Sequence, residues 1–195
     1  MMIIRDEILR EHSSENALKI ATYACSSKKN FKELMKCYLD KEYRVAQRAA
    51  WSVSWAARKK PEMIQPYIKE LVAQLQRKDV HNAVIRNSVR ILEDLEIPEE
   101  FHGEVMNTCF NFIENPTTAI AIKAFSLTIL FNLSKHYPEI KHELKLIIEE
   151  RWDTETAAFR ARGKKILKAL NKPAVANNQK EGYPLIFVKT NNRLH

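Results

Sequence analysis

The sequence predicts an all-α fold, a right-handed α-α superhelix built from about five helical hairpins. Three observations predict it. Only three glycines occur among 195 residues, far below the roughly 7% of average proteins, and tight strand turns depend on glycine. Apolar residues recur at helical spacing along nearly the whole chain. Charged and amide residues repeat about every 37 residues, a period typical of stacked helical hairpins.

The apolar spacing defines ten helices. Pro61, Pro98 and Pro138 support three of the starts, and each is followed at once by glutamate. A proline is tolerated in a first turn because the N–H that it lacks would have no partner there, and an acidic residue complements the helix dipole. The predicted helices lie near 3–11, 15–26, 29–39, 42–59, 61–78, 80–96, 98–115, 117–136, 138–151 and 155–171.

Two residue series carry the repeat. The first consists of basic residues near the start of alternate helices: Arg48, Arg86, Lys123 and Arg160. The second consists of short acidic or amide residues in the loops before those helices: Asp40, Asp79, Asn115 and Asp153. Two series with one period indicate hairpins that bury their apolar faces against their neighbours.

The repeated unit resembles a HEAT repeat, in which an aspartate-containing turn leads into a second helix that carries a basic residue. The matching runs are LDKEYRVAQRAAWSV, KDVHNAVIRNSVRIL, ENPTTAIAIKAFSL and WDTETAAFRARGKKIL. The resemblance to HEAT or armadillo repeats covers about residues 29–171, and the whole chain is similar to a group of short bacterial HEAT-like proteins. It implies that the two series form a structural ladder of hydrogen bonds between units, weaker at Asn115 and Lys123. The competing interpretation is an anion-binding stripe.

The domain organisation follows from the repeat. We expect one helical repeat domain over residues 1–172, in which residues 1–28 form N-terminal capping helices. The repeats are expected at about 29–60, 61–97, 98–137 and 138–171. Residues 173–195 contain Pro173, Gly182 and Pro184, and they are predicted to form a non-helical C-terminal tail.

The net charge of +8 is distributed in bands. Residues 28–90 carry +9, residues 91–154 carry −7 and residues 155–195 carry +7. Nucleic-acid-binding proteins usually present a continuous positive footprint. The bands therefore favour a protein partner, or self-association through complementary charge, over nucleic acid.

One face of the helix at 42–59 carries two tryptophans among arginines. Trp51 and Trp55 are four residues apart and so lie on the same face, opposite a stripe of valine and alanine. Such a surface is typical of recognition, and second helices line the concave face in the repeats that the chain resembles. The alternative is that the tryptophans fill gaps between adjacent helices. The predicted partner-binding residues are Arg44, Arg48, Trp51, Trp55, Arg58, Arg86 and Arg90.

The last predicted helix carries a basic patch of Arg160, Arg162, Lys164, Lys165 and Lys168. A solvated outer face explains it, and phosphate or an acidic partner is the alternative. The acidic residues between Glu93 and Glu104 surround a predicted turn at Pro98 and are expected to be solvated.

No sequence motif indicates catalysis, a cofactor or a metal. Glycine-rich phosphate loops are excluded by the glycine count, and the histidines show no zinc-binding spacing. Cys25, Cys37 and Cys109 are odd in number and widely spaced, which predicts free thiols in the cytoplasm. The segment 119–133 is too short for a membrane span.

These observations predict a non-catalytic scaffold that binds a protein partner, or a second copy of itself, along the concave face. The alternative is DNA binding or repair, since the chain resembles alkylpurine DNA glycosylases built of HEAT-like repeats in its repeat class, tryptophans and basic character. No acidic residue matches the site motif of that family, so no catalytic residue is assigned.

Overall fold

The computed structural model describes residues 2–171, and the predicted tail at 173–195 lies outside the described residues. Every regular element in residues 2–171 is helical. The α-helices are α1 (Ile4–Arg10), α2 (Ser14–Ala24), α3 (Lys28–Tyr38), α4 (Tyr43–Lys59), α5 (Pro61–Ile64), α6 (Ile68–Leu75), α7 (Asn82–Leu92), α8 (His102–Glu114), α9 (Ile120–Leu133), α10 (Ile140–Glu150) and α11 (Ala157–Leu170).

The helices form five consecutive hairpins. Each hairpin pairs a first helix with a second one: α1 with α2, α3 with α4, the α5–α6 segment with α7, α8 with α9, and α10 with α11. The second helices also pack side by side in the order α2, α4, α7, α9 and α11, so they make one continuous row. This arrangement confirms the predicted helical solenoid.

Two prolines modify the predicted elements. The expected helix at 61–78 is divided into α5, a 3₁₀ turn at Gln65–Tyr67, and α6. Pro66 lies inside that turn, where a residue without an N–H cannot continue the α-helical hydrogen bonds. Pro138 lies two residues before α10, so this helix begins later than the expected position 138.

The core runs between the two layers of helices. Fully buried aromatic residues mark it from end to end, with Phe31 and Tyr38 on α3 and Phe159 on α11. Burial of one large apolar side chain stabilises the fold by about 1.5–3 kcal/mol, and each hairpin contributes several to this core. No helix in residues 2–171 is long and apolar enough to cross a membrane.

In the loop series, Asp40 contacts the first hairpin, whereas Asp79 and Asn115 make only local contacts. Asp40 accepts hydrogen bonds from Arg5 and from the backbone N–H of Glu42. Asp79 pairs with Arg77 two residues earlier, and Asn115 accepts from Thr117. Short polar side chains of this kind readily form hydrogen bonds with nearby groups. At most of the expected positions they therefore do not bond to the next repeat unit. Asp153, the last member of the series, is exposed and makes no hydrogen bond within the described residues.

The basic series is also heterogeneous. Arg48 donates to the carbonyl oxygens of Ile8 and Leu9, at 3.2 and 2.8 Å, and so joins the second hairpin to the first. Arg160 donates to the carbonyl oxygen of Glu155, at 2.6 Å, within its own hairpin. Arg86 is exposed and has no such bond. The prediction of one continuous ladder was therefore wrong.

Lys123, expected to form a weak rung, makes the most buried ion pair in the described chain. Its Nζ atom lies 2.6 Å from Oε1 of Glu155, and the two side chains are 5% and 8% exposed. Arg151 approaches the same carboxylate at 3.4 Å. Since Lys123 lies on α9 and Glu155 precedes α11, this pair fixes the last hairpin to its neighbour.

Two helical glycines provide a matched test of the packing. A methyl group added at Gly163, on α11, would lie 2.8 Å from Cγ2 of the buried Ile148, whereas one added at Gly103, on α8, would meet nothing within 4 Å. We expect Gly103→Ala to raise the free energy of unfolding by about 0.5–1 kcal/mol through helix propensity. Gly163→Ala should lower it by about 1–2 kcal/mol because the core is overpacked. Urea unfolding of both variants measures this difference, and equal effects would contradict the close approach of α10 and α11.

Candidate functional site

Helix α4 presents the predicted tryptophan and arginine face to the surface. The helix forms readily because its 17 residues contain five alanines and neither glycine nor proline. Val45, Ala49 and Val53 are fully buried on the inner side. On the other side Arg44 and Arg58 are exposed, while Trp51 and Trp55 are half-buried.

Helix α7 lies beside α4 and extends that face. Near the start of the two helices, the rings of Tyr43 and His81 are 5.3 Å apart, and Nε2 of Gln47 lies 3.4 Å from Nε2 of His81. Near their ends, Arg58 and Arg90 line one cleft. Of the predicted residues, Arg58 on α4 and Arg90 on α7 therefore come together at this cleft, and the others lie along the same two helices. We call this the Arg–Trp surface: Arg44, Arg48, Trp51, Trp55, Arg58, Arg86 and Arg90.

The two tryptophans combine packing with exposure. Trp51 meets the ring of His12 edge-on, with centroids 5.5 Å apart. Trp55 packs against the core, and the guanidinium of Arg58 lies 5.8 Å from its ring centroid. The indole N–H of Trp55 has no hydrogen-bond acceptor among residues 2–171. Each ring therefore has part of its surface available at the edge of the fold.

The arginines of this surface lack acidic partners. Eleven arginines lie in residues 2–171, and five of them form ion pairs: Arg5, Arg10, Arg77, Arg151 and Arg162. Of the six that do not, five belong to the Arg–Trp surface, and the sixth is Arg160. Arg48 is engaged by carbonyl oxygens at the end of α1, where a cation is favoured by the helix dipole. The other four contribute uncompensated positive charge.

The local field disfavours charge on Arg90. Burial lowers the pKa of its guanidinium, and repulsion from Arg58 and Arg86 lowers it further against the opposing effects of Glu93 and Asp94. The Nε atom of Arg90 is buried and finds no acceptor within residues 2–171. An unsatisfied buried donor lowers stability by about 1–3 kcal/mol, so this arrangement is not explained by its contribution to the fold.

The predicted basic terminal patch divides into two groups. Arg162 forms an ion pair with Glu93, donates to Thr128, and lies 4.8 Å from the ring centroid of Phe125. It therefore bridges α11 to the end of α7 across α9, and is not a free surface charge. Lys164, Lys165 and Lys168 remain exposed, as a solvated outer face requires.

A family model for the HEAT repeat domain matches residues 4–170, which include all five hairpins. The chain belongs to the HEAT repeat family. The search of curated proteins and the search of solved structures each gave no significant match. The HEAT assignment agrees with the row of second helices on which the Arg–Trp surface lies.

A wider cleft in the described part of this HEAT protein lies at the C-terminal ends of α7 and α9. It has a volume of about 840 Å³, and carboxylates, His102 and Tyr137 are among the groups that line it. The ring of His102 is fully bonded, because Nε2 donates to the carbonyl of Ile97 at 2.6 Å and Nδ1 accepts from the Tyr137 hydroxyl at 3.1 Å. Both ring nitrogens of His102 are therefore engaged in contacts within the fold.

The thiols show no nucleophilic character. Burial raises the pKa of Cys37 to about 11 and that of Cys109 to about 12, far above the range of an activated thiolate. Burial also raises the pKa of Cys25, and all three cysteines are free. Within residues 2–171 no group of three metal-binding side chains comes together.

Sequence reasoning missed the contacts that join distant positions. Lys123 with Glu155, Arg162 with Glu93, and Tyr38 with Ser88 are 32, 69 and 50 residues apart. The position of Lys123 on the buried side of the helical wheel was the one sequence signal that this lysine needs a partner. Nothing in the sequence marks Ser88 as the partner of Tyr38.

Proposed function

We propose that this HEAT protein is a non-catalytic interaction scaffold that binds a protein partner through the Arg–Trp surface. The observation that carries the proposal is the gathering of arginines without acidic partners around two half-buried tryptophans. Tryptophan and arginine are the residues most enriched at the energetic centres of protein interfaces. The surface lies on the row of second helices, where the HEAT resemblance puts the concave face.

Charge supports a protein partner over a nucleic acid. Of the six arginines in residues 2–171 that form no ion pair, five lie on α4 and α7, whereas Arg162, further along the row, is neutralised by Glu93. A duplex groove would be expected to extend the positive potential along the row. A second copy of the chain is a possible partner, because its acidic band at 91–154 is complementary. We place the protein in the cytoplasm on the basis of its three free thiols.

The tryptophans are expected to dominate the binding energy. In the variant Trp51→Ala/Trp55→Ala, affinity for the partner should fall by about 2 kcal/mol or more, since aromatic anchors contribute on this scale. Helical circular dichroism should be unchanged, because neither ring is fully buried. The partner is first identified by affinity capture from native lysate, and its affinity is then measured by titration calorimetry with purified proteins.

The matched control is Trp152→Ala, because this third tryptophan is half-buried beside α11 and away from α4. It should lower the melting temperature and leave affinity intact. If the α4 double variant mainly lowers the melting temperature and binds normally, the tryptophans are packing residues and the proposal fails. A short DNA duplex is titrated in parallel, and tight binding that weakens steeply with salt and requires Trp51 and Trp55 would replace the protein partner with DNA.

A further inference from the structure

A small cleft opens between the C-terminal ends of α4 and α7. Its volume is about 170 Å³, well below the roughly 300–1,000 Å³ of sites for small-molecule ligands. Ala57 and Pro61 from one side and Ile91 and Leu95 from the other form its apolar wall. A space of this size and lining fits one side chain of a larger partner.

The charged groups at this cleft are donors without acceptors. Arg58 and Arg90 line it, Arg86 is close enough to repel Arg90, and none of the three forms an ion pair with a residue of the described chain. Among the same residues, the buried Nε atom of Arg90 and the indole N–H of Trp55, on whose ring Arg58 lies, also lack acceptors. Guanidinium groups have no acceptor capacity, so the ligand that satisfies them must supply acceptor atoms.

The nearby carboxylates do not supply these acceptor atoms. Glu93 forms an ion pair with Arg162, so its charge is already compensated. Asp94 borders the cleft and is exposed, and it makes no ion pair with any basic group in residues 2–171. Two guanidinium groups and one carboxylate therefore line the cleft, which leaves it net positive.

We propose that this cleft takes a glutamate or aspartate side chain from an acidic, partly apolar peptide segment of the partner, held between Arg58 and Arg90. The inference rests on the proposed function and adds the chemistry of the partner. The apolar wall and the ring of Trp55, which Arg58 covers, receive the neighbouring aliphatic side chains of the same segment. Carboxylates suit arginine because two parallel N–H donors can meet their two oxygens.

The test uses a short fluorescein-labelled peptide of alternating glutamate and leucine, and a second peptide with glutamine in place of glutamate. Fluorescence anisotropy measures both against the wild-type chain, Arg58→Gln/Arg90→Gln and Lys164→Gln/Lys165→Gln. The two variants remove the same charge, but the lysines lie on the exposed face of α11. The wild type should prefer the glutamate peptide by about tenfold or more. The arginine variant should lose that preference, and the lysine variant should retain it.

Stability provides a second readout. Because the folded state disfavours charge on Arg90, the arginine variant should melt at or above the wild-type temperature. A lower melting temperature would mean that the arginines hold the fold together, and would overturn the inference. Equal binding of the two peptides by the wild type, no binding of the glutamate peptide, or equal losses in the arginine and lysine variants would overturn it as well.

The outcomes separate this inference from the proposed function. If both peptides bind equally to the wild type and both weaken in Trp51→Ala/Trp55→Ala, the surface is a protein-binding site without a carboxylate site. If the tryptophan variant binds its partner as tightly as the wild type, the proposed function itself fails. If a DNA duplex displaces the glutamate peptide and its own binding requires Arg58 and Arg90, the cleft recognises phosphate and the carboxylate assignment is wrong.

Discussion

Glu155→Ala is expected to lower the free energy of unfolding by about 3–5 kcal/mol, because it leaves the ammonium group of Lys123 buried without its partner. Lys123 is only 5% exposed at its side chain, and Glu155 supplies the oxygen 2.6 Å away. Water cannot replace that oxygen without opening the contact between α9 and the loop before α11. Urea unfolding monitored by circular dichroism measures the loss.

Two controls distinguish a buried charge from a simple lost contact. Glu149→Ala removes the exposed pair with Lys145, at 3.8 Å, and should change stability by less than about 1 kcal/mol. The double variant Lys123→Met/Glu155→Leu removes both charges and should recover most of the stability lost in Glu155→Ala, since apolar replacements of buried pairs are often neutral or stabilising. If the double variant is as unstable as the single variant, the penalty does not come from the unpaired lysine.

The same pair predicts a pH dependence. Burial alone would raise the pKa of Glu155, but the hydrogen bond and charge of Lys123, with Arg151, hold that pKa below its ordinary value of 4.5. A carboxylate with a lowered folded-state pKa stabilises the fold above its unfolded-state pKa. That stability is lost as the pH falls through the folded-state pKa. Glu155→Gln should therefore flatten the acid side of the stability profile.

Tyr38→Ala is expected to lower the free energy of unfolding by about 3–5 kcal/mol through the cavity that it leaves. Tyr38 ends α3, is fully buried, and reaches Ser88 on α7 at 2.5 Å between hydroxyl oxygens. Ser88 donates its own proton to the carbonyl of Val84 at 2.7 Å, so the tyrosine hydroxyl is the donor in the pair. Tyr38 therefore links the second hairpin to the third beneath α4.

Comparison with two further variants separates the contribution of the Tyr38 ring from that of its hydroxyl group. Tyr38→Phe keeps the ring and should lower stability by about 1 kcal/mol, the contribution of one hydrogen bond. Tyr43→Ala is the control, because this tyrosine is 54% exposed and should change stability by less than about 1 kcal/mol. A loss below about 1 kcal/mol in Tyr38→Ala would contradict the central position of the ring.

The fold could be predicted because its signals are local and repeated. Apolar spacing located α4 almost to its ends at Tyr43 and Lys59, and the 37-residue period gave the number of hairpins. The break at Pro66 was missed because apolar periodicity continues through the 3₁₀ turn. The start of α10 was predicted at Pro138, but the helix begins two residues later, at Ile140.

The sequence could predict which helix face carries the candidate site, but not which residues its side chains contact. The helical wheel grouped Trp51 and Trp55 on one face of α4, because side-chain direction along a helix follows from sequence, and both rings are half-buried there. The wheel cannot show that Arg48 meets carbonyl oxygens of α1, or that Arg162 meets Glu93 across α9. Those partners depend on how hairpins stack. The adjacent Lys164 and Lys165 point outward, so the basic patch divides although it is continuous in sequence.

The indole N–H resonances of the three tryptophans test the Arg–Trp surface most directly. Trp51 and Trp55 lie on that surface, whereas Trp152 lies beside α11 and serves as an internal control. The glutamate–leucine peptide is added to the ¹⁵N-labelled protein, and the three resonances are followed in one spectrum. Binding at the Arg–Trp surface predicts shifts of Trp51 and Trp55 that saturate together while Trp152 stays in place. A shift of Trp152 alone, or no shift of Trp51 and Trp55 as the peptide binds, would contradict it.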